Sequence, residues 1–253
     1  MTEIRISSRP PRLDPRPMPH RVGVIALSTD HTMEVDYARI LTPQGIGFYT
    51  TRVEFVNPVA PETLKAMEPR LAAAAELILP DQELDAIVFG CTSASVCIGD
   101  AAVQAQVNKG KPGCRVITPV SAAVAGLQAM GAKRISVLTP YLVETSTPMA
   151  GVFEAAGFGI DRFTCLNMPD DRDMARIALD ELVELAAEAA DKGSEALFIS
   201  CTAVRAAGII DRLEAATGMP VLSSNYATAW NLARLCGVGG AIAPGHLMTL
   251  PLN

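Results

Sequence analysis

Aromatic residues, histidine and positive charge are all scarce in this 253-residue chain. Only 5% of its residues are Phe, Trp or Tyr, three are histidines, and the formal net charge is −6. Nucleic acids and anionic membranes are bound through clustered Lys and Arg, so this charge argues against both as main partners. A small anionic substrate is still compatible with it, because backbone N–H groups can hold a carboxylate.

Several motifs that would define a site are also missing. The chain has no CxxC or HExxH, no GxGxxG after its first strand, no GxxxxGK[ST] and no GxSxG. We therefore expect no metal and no cofactor, and no α/β-hydrolase elbow. No apolar run reaches membrane-spanning length. The six cysteines have no compact spacing, which favours reduced thiols and a cytoplasmic protein.

The chain does contain a regular alternation of apolar, β-rich segments with helical ones. Strands are predicted at 21–28, 45–55, 115–119, 135–140, 159–167 and 220–224, with one more ending at each of two cysteines. Helices are predicted between them, including 61–80, 171–192 and a segment that follows Cys201 and ends at Thr217. This alternation is typical of parallel α/β sheets.

Two stretches resemble each other: DAIVFGCTSAS, which contains Cys91, and EALFISCTAVR, which contains Cys201. The cysteines are 201 − 91 = 110 residues apart, and the first and fourth strands of the two halves repeat at similar offsets. The sequence thus predicts two pseudo-symmetric α/β domains, each a four-stranded parallel sheet flanked by helices, with the active site in the cleft between them. The predicted ranges are a Pro/Arg-rich arm at 1–20, a first half at 21–119, a second half at 120–224, and a C-terminal segment at 225–253 that packs back on the first half.

Both cysteines fall at the carboxyl end of a predicted strand, just before a predicted helix. Ligands bind at that edge of open α/β sheets. A helix start also favours the thiolate, so we expect the thiol pKa to fall below its ordinary value of about 8.5. The residues that follow the cysteines offer hydroxyl or N–H groups for a carboxylate, with plain helix capping as the alternative; they are Thr92, Ser93, Thr202 and Ala203.

Two polar residues follow other strands at the same predicted edge. Tyr141 comes just after a strand of the second half, where its phenol could donate to a substrate oxygen or simply lie exposed in a loop. Asp30 takes the matching place in the first half, where its ordinary role would be to cap a helix.

A family resemblance rests on five short sequence segments: RPPRL, TDHTMEVD, GCTSAS, LTPYLVETS and FISCTA. From about residue 20 onward the chain resembles the aspartate/glutamate/hydantoin racemase superfamily, in the branch of maleate cis-trans isomerases and arylmalonate decarboxylases. Within that branch it looks most like ectoine-utilisation proteins. The resemblance implies that Cys201 handles a proton at the substrate carbon. Cys91 matches the second cysteine of isomerases and racemases, where decarboxylases have Gly.

The resemblance also implies a carboxylate pocket made of Tyr141, Thr92, Ser93 and the N–H of Thr202. The chain departs from the maleate isomerases at two positions, where Asp30 and Asp171 replace asparagine. An ionised aspartate at either position would repel a dicarboxylate substrate. We therefore hypothesise that Asp30 meets an ammonium group, as in an amino-acid or diamino-acid substrate.

Three functions remain open at this point. The first is a cofactor-independent cysteine-pair isomerase or racemase of a small carboxylate or amino acid, for which the resemblance implies a role in ectoine catabolism. The second is an arylmalonate-type decarboxylase that uses Cys201 as proton donor. The third is a ligand-binding protein without catalysis. In each case we expect a homo-oligomer.

Overall fold

The computed structural model describes residues 2–252, and its strands form two separate parallel sheets. The first sheet has the order β2-β1-β3-β4 and consists of β1 (His20–Leu27), β2 (Ile46–Val53), β3 (Ala86–Phe89) and β4 (Val116–Ile117). The second has the order β6-β5-β7-β8 and consists of β5 (Arg134–Thr139), β6 (Gly159–Cys165), β7 (Ala196–Ile199) and β8 (Val221–Ser223). Because the two orders are equivalent, the predicted duplicated fold is confirmed.

Helices flank both sheets. In chain order they are α1 (Met33–Ile40), α2 (Pro61–Lys65), α3 (Leu71–Glu76), α4 (Thr92–Ile98), α5 (Asp100–Gly110), α6 (Pro119–Ala129), α7 (Val143–Ala155), α8 (Asp171–Met174), α9 (Leu179–Ala189), α10 (Ile210–Thr217) and α11 (Ser224–Leu235). Strands β3 and β7 are buried along their whole length, as expected of apolar strands covered on both faces. Among residues 2–252, no helix has the length and apolar character needed to cross a membrane.

Three predicted helices differ from those observed. The segment 61–80 is broken into α2, a 3₁₀ turn at Glu68–Arg70 and α3, because Pro69 has no N–H to continue an α-helix. The segment 171–192 is divided into α8 and α9, and Ala178 between them is extended, with φ −61° and ψ 142°. After Cys201 the chain makes turns over 202–209, and α10 begins only at Ile210. The prediction that Cys201 lies at a helix start is therefore wrong.

The carboxyl ends of the two sheets meet at a seam of hydrogen bonds between the halves. The Thr32 hydroxyl donates to the Ala203 carbonyl at 3.0 Å. The Thr145 hydroxyl donates to the carbonyl of Val59 at 2.9 Å, and the N–H of Val59 donates to the Pro169 carbonyl at 2.8 Å. Helix α11 packs against both α6 and α1. Helix α1 lies in the predicted first half, and α6 lies in the predicted second half except for its first residue. The division of the chain at residues 20, 119 and 224 stays a prediction.

Candidate active site

A small closed pocket lies where the strand ends of the two halves meet. Its cavity has a volume of about 20 Å³, which is room for about one water molecule. The lining residues are Leu27, Asp30, Phe55, Val59, Leu64, Cys91, Ser93, Tyr141, Asp171, Cys201, Thr202 and Ala203. Eight of the nine site residues predicted from sequence are among them, and Thr92 is the exception. The structure thus brings the predicted residues together, while the role of each stays a prediction.

The residue before Cys91 is a glycine packed against Met33. A Cβ atom on Gly90 would lie 2.4 Å from Met33 Sδ, inside any normal contact distance. The N–H of Gly90 donates to the carbonyl of Ile25 at 2.8 Å, which ties the end of β3 to β1. Cys91 is extended, with φ −143° and ψ 113°, and is the N-cap residue of α4. Its Sγ lies 3.7 Å from the hydroxyl of Ser93.

Cys201 has a different backbone from its counterpart. Its φ is +87°, a left-handed conformation that side chains other than glycine rarely adopt. Such a conformation costs on the order of 1–3 kcal/mol and clusters at functional sites. The N–H of Ser200 donates to the Leu138 carbonyl at 2.8 Å and fixes the strand that leads into it. Cys201 Sγ lies 3.9 Å from Met174 Sδ, so the thiol is packed between the second sheet and α8.

Burial is the dominant influence on the pKa of both thiols. Burial raises the pKa of Cys91 to about 12, although the N–H of Ala94 and the Ser93 hydroxyl act in the opposite direction. Burial likewise raises the pKa of Cys201 to about 12, and it outweighs the hydrogen bonds from Tyr141 and from the N–H of Ala203. The predicted lowering of the thiol pKa at a helix start is therefore wrong. At Cys91 the loss of solvent is larger than the effect of the short helix α4.

The hydroxyl groups near the cysteines are shared between the pocket and the seam. The phenol of Tyr141 is 1% exposed, accepts a hydrogen bond of 3.4 Å from Ser200 Oγ and contacts the Cys201 thiol. The hydroxyl of Thr92 is instead 2.8 Å from Ser224 Oγ, on α11. That contact explains why Thr92 is not among the lining residues.

The two predicted aspartates, Asp30 and Asp171, have different surroundings. Oδ1 of Asp30 accepts the N–H groups of Thr32 at 3.1 Å and Met33 at 3.0 Å, and so caps α1. Its Oδ2 is buried without a hydrogen-bond partner among the described residues. Burial raises the pKa of Asp30, against the effect of those two N–H groups.

Asp171 has both of its carboxylate oxygens occupied. Oδ1 accepts from Asn57 Nδ2 at 2.8 Å, and Oδ2 accepts from the hydroxyl of Thr29. Its backbone N–H donates to Asn57 Oδ1 at 3.2 Å. These contacts join the loop after β2 to the start of α8 in the other half and close the pocket.

Sequence reasoning missed the loop residues that close the pocket. Phe55, Val59 and Leu64 line it from the segment between β2 and α2, and Asn57 holds that segment to Asp171. Asn57 precedes a proline, which marks a loop but not the partner of its side chain. Asn225 was missed as well: its Nδ2 donates to the carbonyl of Thr202 at 2.8 Å.

The fold and the site define a two-domain α/β enzyme with a buried cysteine from each half in one pocket. The model of the arylmalonate decarboxylase family matches residues 36–248, and the chain belongs to that family. This places it in the branch that was predicted from the sequence motifs.

Relatives in this branch bear two different names. A maleate isomerase of Nocardia farcinica is 26% identical over 225 residues, covering 85% of this chain and 89% of the relative. An arylmalonate decarboxylase of Bordetella bronchiseptica is 28% identical over 131 residues, covering 51% of this chain and 55% of the relative. The names of the two relatives correspond to the two enzyme functions that the sequence left open.

Solved structures agree with the fold. The Nocardia farcinica maleate cis-trans isomerase, in a cysteine-to-serine mutant with a covalently bound succinylcysteine intermediate, gives a TM-score of 0.81 at 26% identity. The similarity covers 91% of this chain and 98% of that one. The maleate isomerase of Pseudomonas putida S16 gives a TM-score of 0.82 at 23% identity and supports the fold alone. The likeness to ectoine-utilisation proteins stays a prediction.

Proposed function

We propose that the protein is a cofactor-independent isomerase of a small carboxylate, of the racemase or cis-trans isomerase type. One observation carries this proposal: Cys91 and Cys201, from equivalent strand ends, line the same closed pocket. Two thiols that approach a bound molecule from different halves can act on two faces of one carbon. The maleate isomerase relatives support the same reaction class.

Two reaction schemes fit this arrangement. In racemisation one thiolate removes the α-proton, the other thiol delivers a proton to the opposite face, and N–H and hydroxyl groups stabilise the enediolate oxygens. In cis-trans isomerisation a thiolate adds to the double bond, the resulting single bond rotates, and elimination of the thiolate gives the trans alkene. The covalent succinylcysteine of the Nocardia farcinica relative supports the second scheme.

Each scheme requires one thiolate, whereas the pKa of each thiol in the closed pocket is about 12. The proton must therefore leave one thiol when the substrate binds. Tyr141 and the N–H of Ala203 lie against Cys201, and Ser93 and the N–H of Ala94 lie against Cys91, so either thiolate would have donors to stabilise it.

Decarboxylation is the second candidate function. The family name and the Bordetella bronchiseptica relative favour it, with Cys201 as the proton donor after loss of carbon dioxide. Such a reaction needs one thiol, so it leaves Cys91 without a role. For either function we further propose a role in the breakdown of ectoine, on the sequence resemblance, and a cytoplasmic location, on the absence of compact cysteine spacing.

Deuterium incorporation from D₂O tests both functions. Candidate carboxylates are incubated with the wild type, Cys91→Ala, Cys201→Ala and the control Cys165→Ala, whose thiol lies outside the pocket. We expect exchange at the α-carbon or isomerisation with the wild type and control, and its loss in both pocket variants. Carbon dioxide release that survives Cys91→Ala would instead establish the decarboxylase. Tight binding without turnover of any substrate would leave only a binding function.

A further inference from the structure

Among the described side chains that line the pocket, one buried oxygen has no hydrogen-bond partner. Asp30 is 6% exposed, and its Oδ2 is buried without a hydrogen-bond partner among residues 2–252. The other oxygen, Oδ1, is fixed by the N–H groups of Thr32 and Met33. The carboxylate therefore has a set orientation, and Asp30 is one of the residues that line the pocket.

The two cationic groups that act on the Asp30 carboxylate, Arg52 and His31, are not among the residues that line the pocket. No Lys, Arg or His is among the residues that line the pocket, whereas Asp30 and Asp171 both are. The nearby Arg52 uses Nη1 on the carbonyl oxygens of Leu27 at 3.0 Å and Asp30 at 2.6 Å, and its Nη2 pairs with Glu34. This guanidinium thus binds backbone carbonyls of the loop after β1, and Arg52 is not among the residues that line the pocket.

The second aspartate does not share the deficit. Both oxygens of Asp171 accept hydrogen bonds, from Asn57 and from Thr29. Its role in the structure is to hold the loop after β2 against α8. Of these two aspartates, Asp30 is the one with a carboxylate oxygen that has no hydrogen-bond partner among the described residues.

A buried carboxylate oxygen without a donor is unfavourable, and a positively charged donor is its strongest partner. A dicarboxylate in this pocket would face two aspartates and no cationic side chain, and this repulsion would weaken its binding. A ligand that carries both a carboxylate and an ammonium group would meet the opposite situation. Its ammonium would neutralise Asp30, and its carboxylate would still have the hydroxyl and N–H groups beside the cysteines.

We propose that the substrate is an amino-substituted carboxylate whose ammonium group donates to Oδ2 of Asp30. This inference rests on the proposed function only in taking the pocket of Cys91 and Cys201 as the substrate site. Asp30 selects the substrate and does not handle the transferred proton. Asp30 lies beside the Cys201 segment, because the hydroxyl of Thr32 donates to the carbonyl of Ala203 at 3.0 Å.

Matched ligand pairs test the proposal. Aspartate against succinate and alanine against propionate differ only in the amino group, and both enantiomers of each amino acid are titrated by calorimetry. A hydrogen bond to a charged group contributes about 1.5–3 kcal/mol, so we expect the amino acid of the better pair to bind on the order of 10-fold to 100-fold tighter. The proposal would be overturned if the wild type bound succinate more tightly than aspartate and propionate more tightly than alanine, or bound maleate more tightly than either amino acid.

The variant Asp30→Asn identifies the residue responsible. It keeps an oxygen that can cap α1, so the fold is expected to survive, and circular dichroism checks this. We expect it to lose the preference for the amino acid and to bind succinate at least as well as the wild type does. The control Glu144→Gln changes an exposed carboxylate in the first turn of α7, outside the pocket, and should leave the preference unaltered. An amino-acid preference that persists in folded Asp30→Asn contradicts the proposal.

Binding and turnover separate this inference from the proposed function. Amino-acid binding that depends on Asp30, without deuterium exchange or isomerisation, would support the ammonium site and refute the isomerase. Exchange with a carboxylate that has no amino group, unaffected by Asp30→Asn, would support the isomerase and refute the ammonium site.

Discussion

The hydroxyl of Thr202 donates a hydrogen bond of 3.1 Å to the carbonyl oxygen of Gly90. This bond joins the residue that follows one pocket cysteine to the residue that precedes the other, although 112 positions separate them in the chain. The carbonyl of Thr202 in turn accepts from Asn225 Nδ2 on α11. The positions of Cys91 and Cys201 are therefore coupled by direct contacts of their neighbours.

Replacement of Thr202 by valine should weaken this coupling. Valine keeps the shape of threonine but leaves the buried Gly90 carbonyl without its donor, so the free energy of unfolding should fall by about 1–3 kcal/mol. The catalytic rate should fall as well, because the two thiols are less firmly placed. Urea denaturation and steady-state kinetics measure both effects. The control is Thr147→Val, which removes a 2.8 Å bond to the Val143 carbonyl on the exposed side of α7. Equal effects of the two substitutions would contradict the prediction.

Gly90→Ala should destabilise the first half of the molecule. The added Cβ would lie 2.4 Å from Met33 Sδ and 3.2 Å from the Ile25 carbonyl, in a fully packed region. Overpacking of this kind costs about 1–3 kcal/mol. Met33→Ala removes the atoms that the new Cβ would meet, so Gly90→Ala should cost little stability when it is made in that background. The double variant should therefore be more stable than the sum of the two single effects predicts.

A glycine with open space gives the matched control. A Cβ on Gly151 in α7 would meet no atom within 4 Å, and alanine there should stabilise the helix by up to about 1 kcal/mol. Thermal and urea unfolding of the four variants would show the contrast. Destabilisation by Gly151→Ala to the same extent as by Gly90→Ala would mean that the contact with Met33 is not the cause.

The sequence predicted the strands and their duplication because both are local patterns that repeat along the chain. It also predicted most of the pocket, since parallel strands bring their carboxyl ends to one edge. It failed at Ala178, where no proline or glycine marks the break between α8 and α9. It failed again at the thiols, because the extent of burial depends on how the loop of Asn57 closes over Cys91 and Cys201. The side-chain bond from Asn57 to Asp171 spans 114 positions and leaves no periodic signal.

Asn57→Ala should loosen the loop between β2 and α2. It removes the 2.8 Å bond to Asp171 Oδ1 and the acceptor of the Asp171 N–H, so the segment from Phe55 to Val59 should open more often. We expect faster amide hydrogen exchange in residues 54–60 and a KM raised about tenfold, since closure of the pocket then uses part of the binding energy. The control Glu62→Ala changes an exposed residue of α2 and should do neither. Unchanged exchange in this segment would show that other contacts keep the loop closed.

Alkylation by iodoacetamide should report the raised thiol pKa values. With the pKa of both Cys91 and Cys201 at about 12, the thiolate fraction rises about tenfold for each pH unit between pH 7 and 10. The rate at these two cysteines, followed by mass spectrometry of peptides, should therefore climb without a plateau over that range. Free glutathione is the control, because an ordinary thiol of pKa about 8.5 approaches its plateau above pH 9. A plateau near neutral pH at either residue would show that this cysteine is the thiolate before substrate binds. Cys91→Ala and Cys201→Ala would check the assignment, because each lacks one of the two reactive thiols.

The same pKa values predict how stability depends on pH. In the unfolded chain both thiols ionise near pH 8.5, whereas in the folded protein they stay protonated up to about pH 12. Between these values the folded state binds more protons, so the free energy of unfolding must fall as pH rises, by at most about 1.4 kcal/mol per pH unit for each thiol. The double variant Cys91→Ala/Cys201→Ala lacks both groups and should lose less stability than the wild type between pH 8 and 10, in urea titrations at each pH. Parallel curves for the two proteins would mean that the thiols ionise as readily in the pocket as in the unfolded chain.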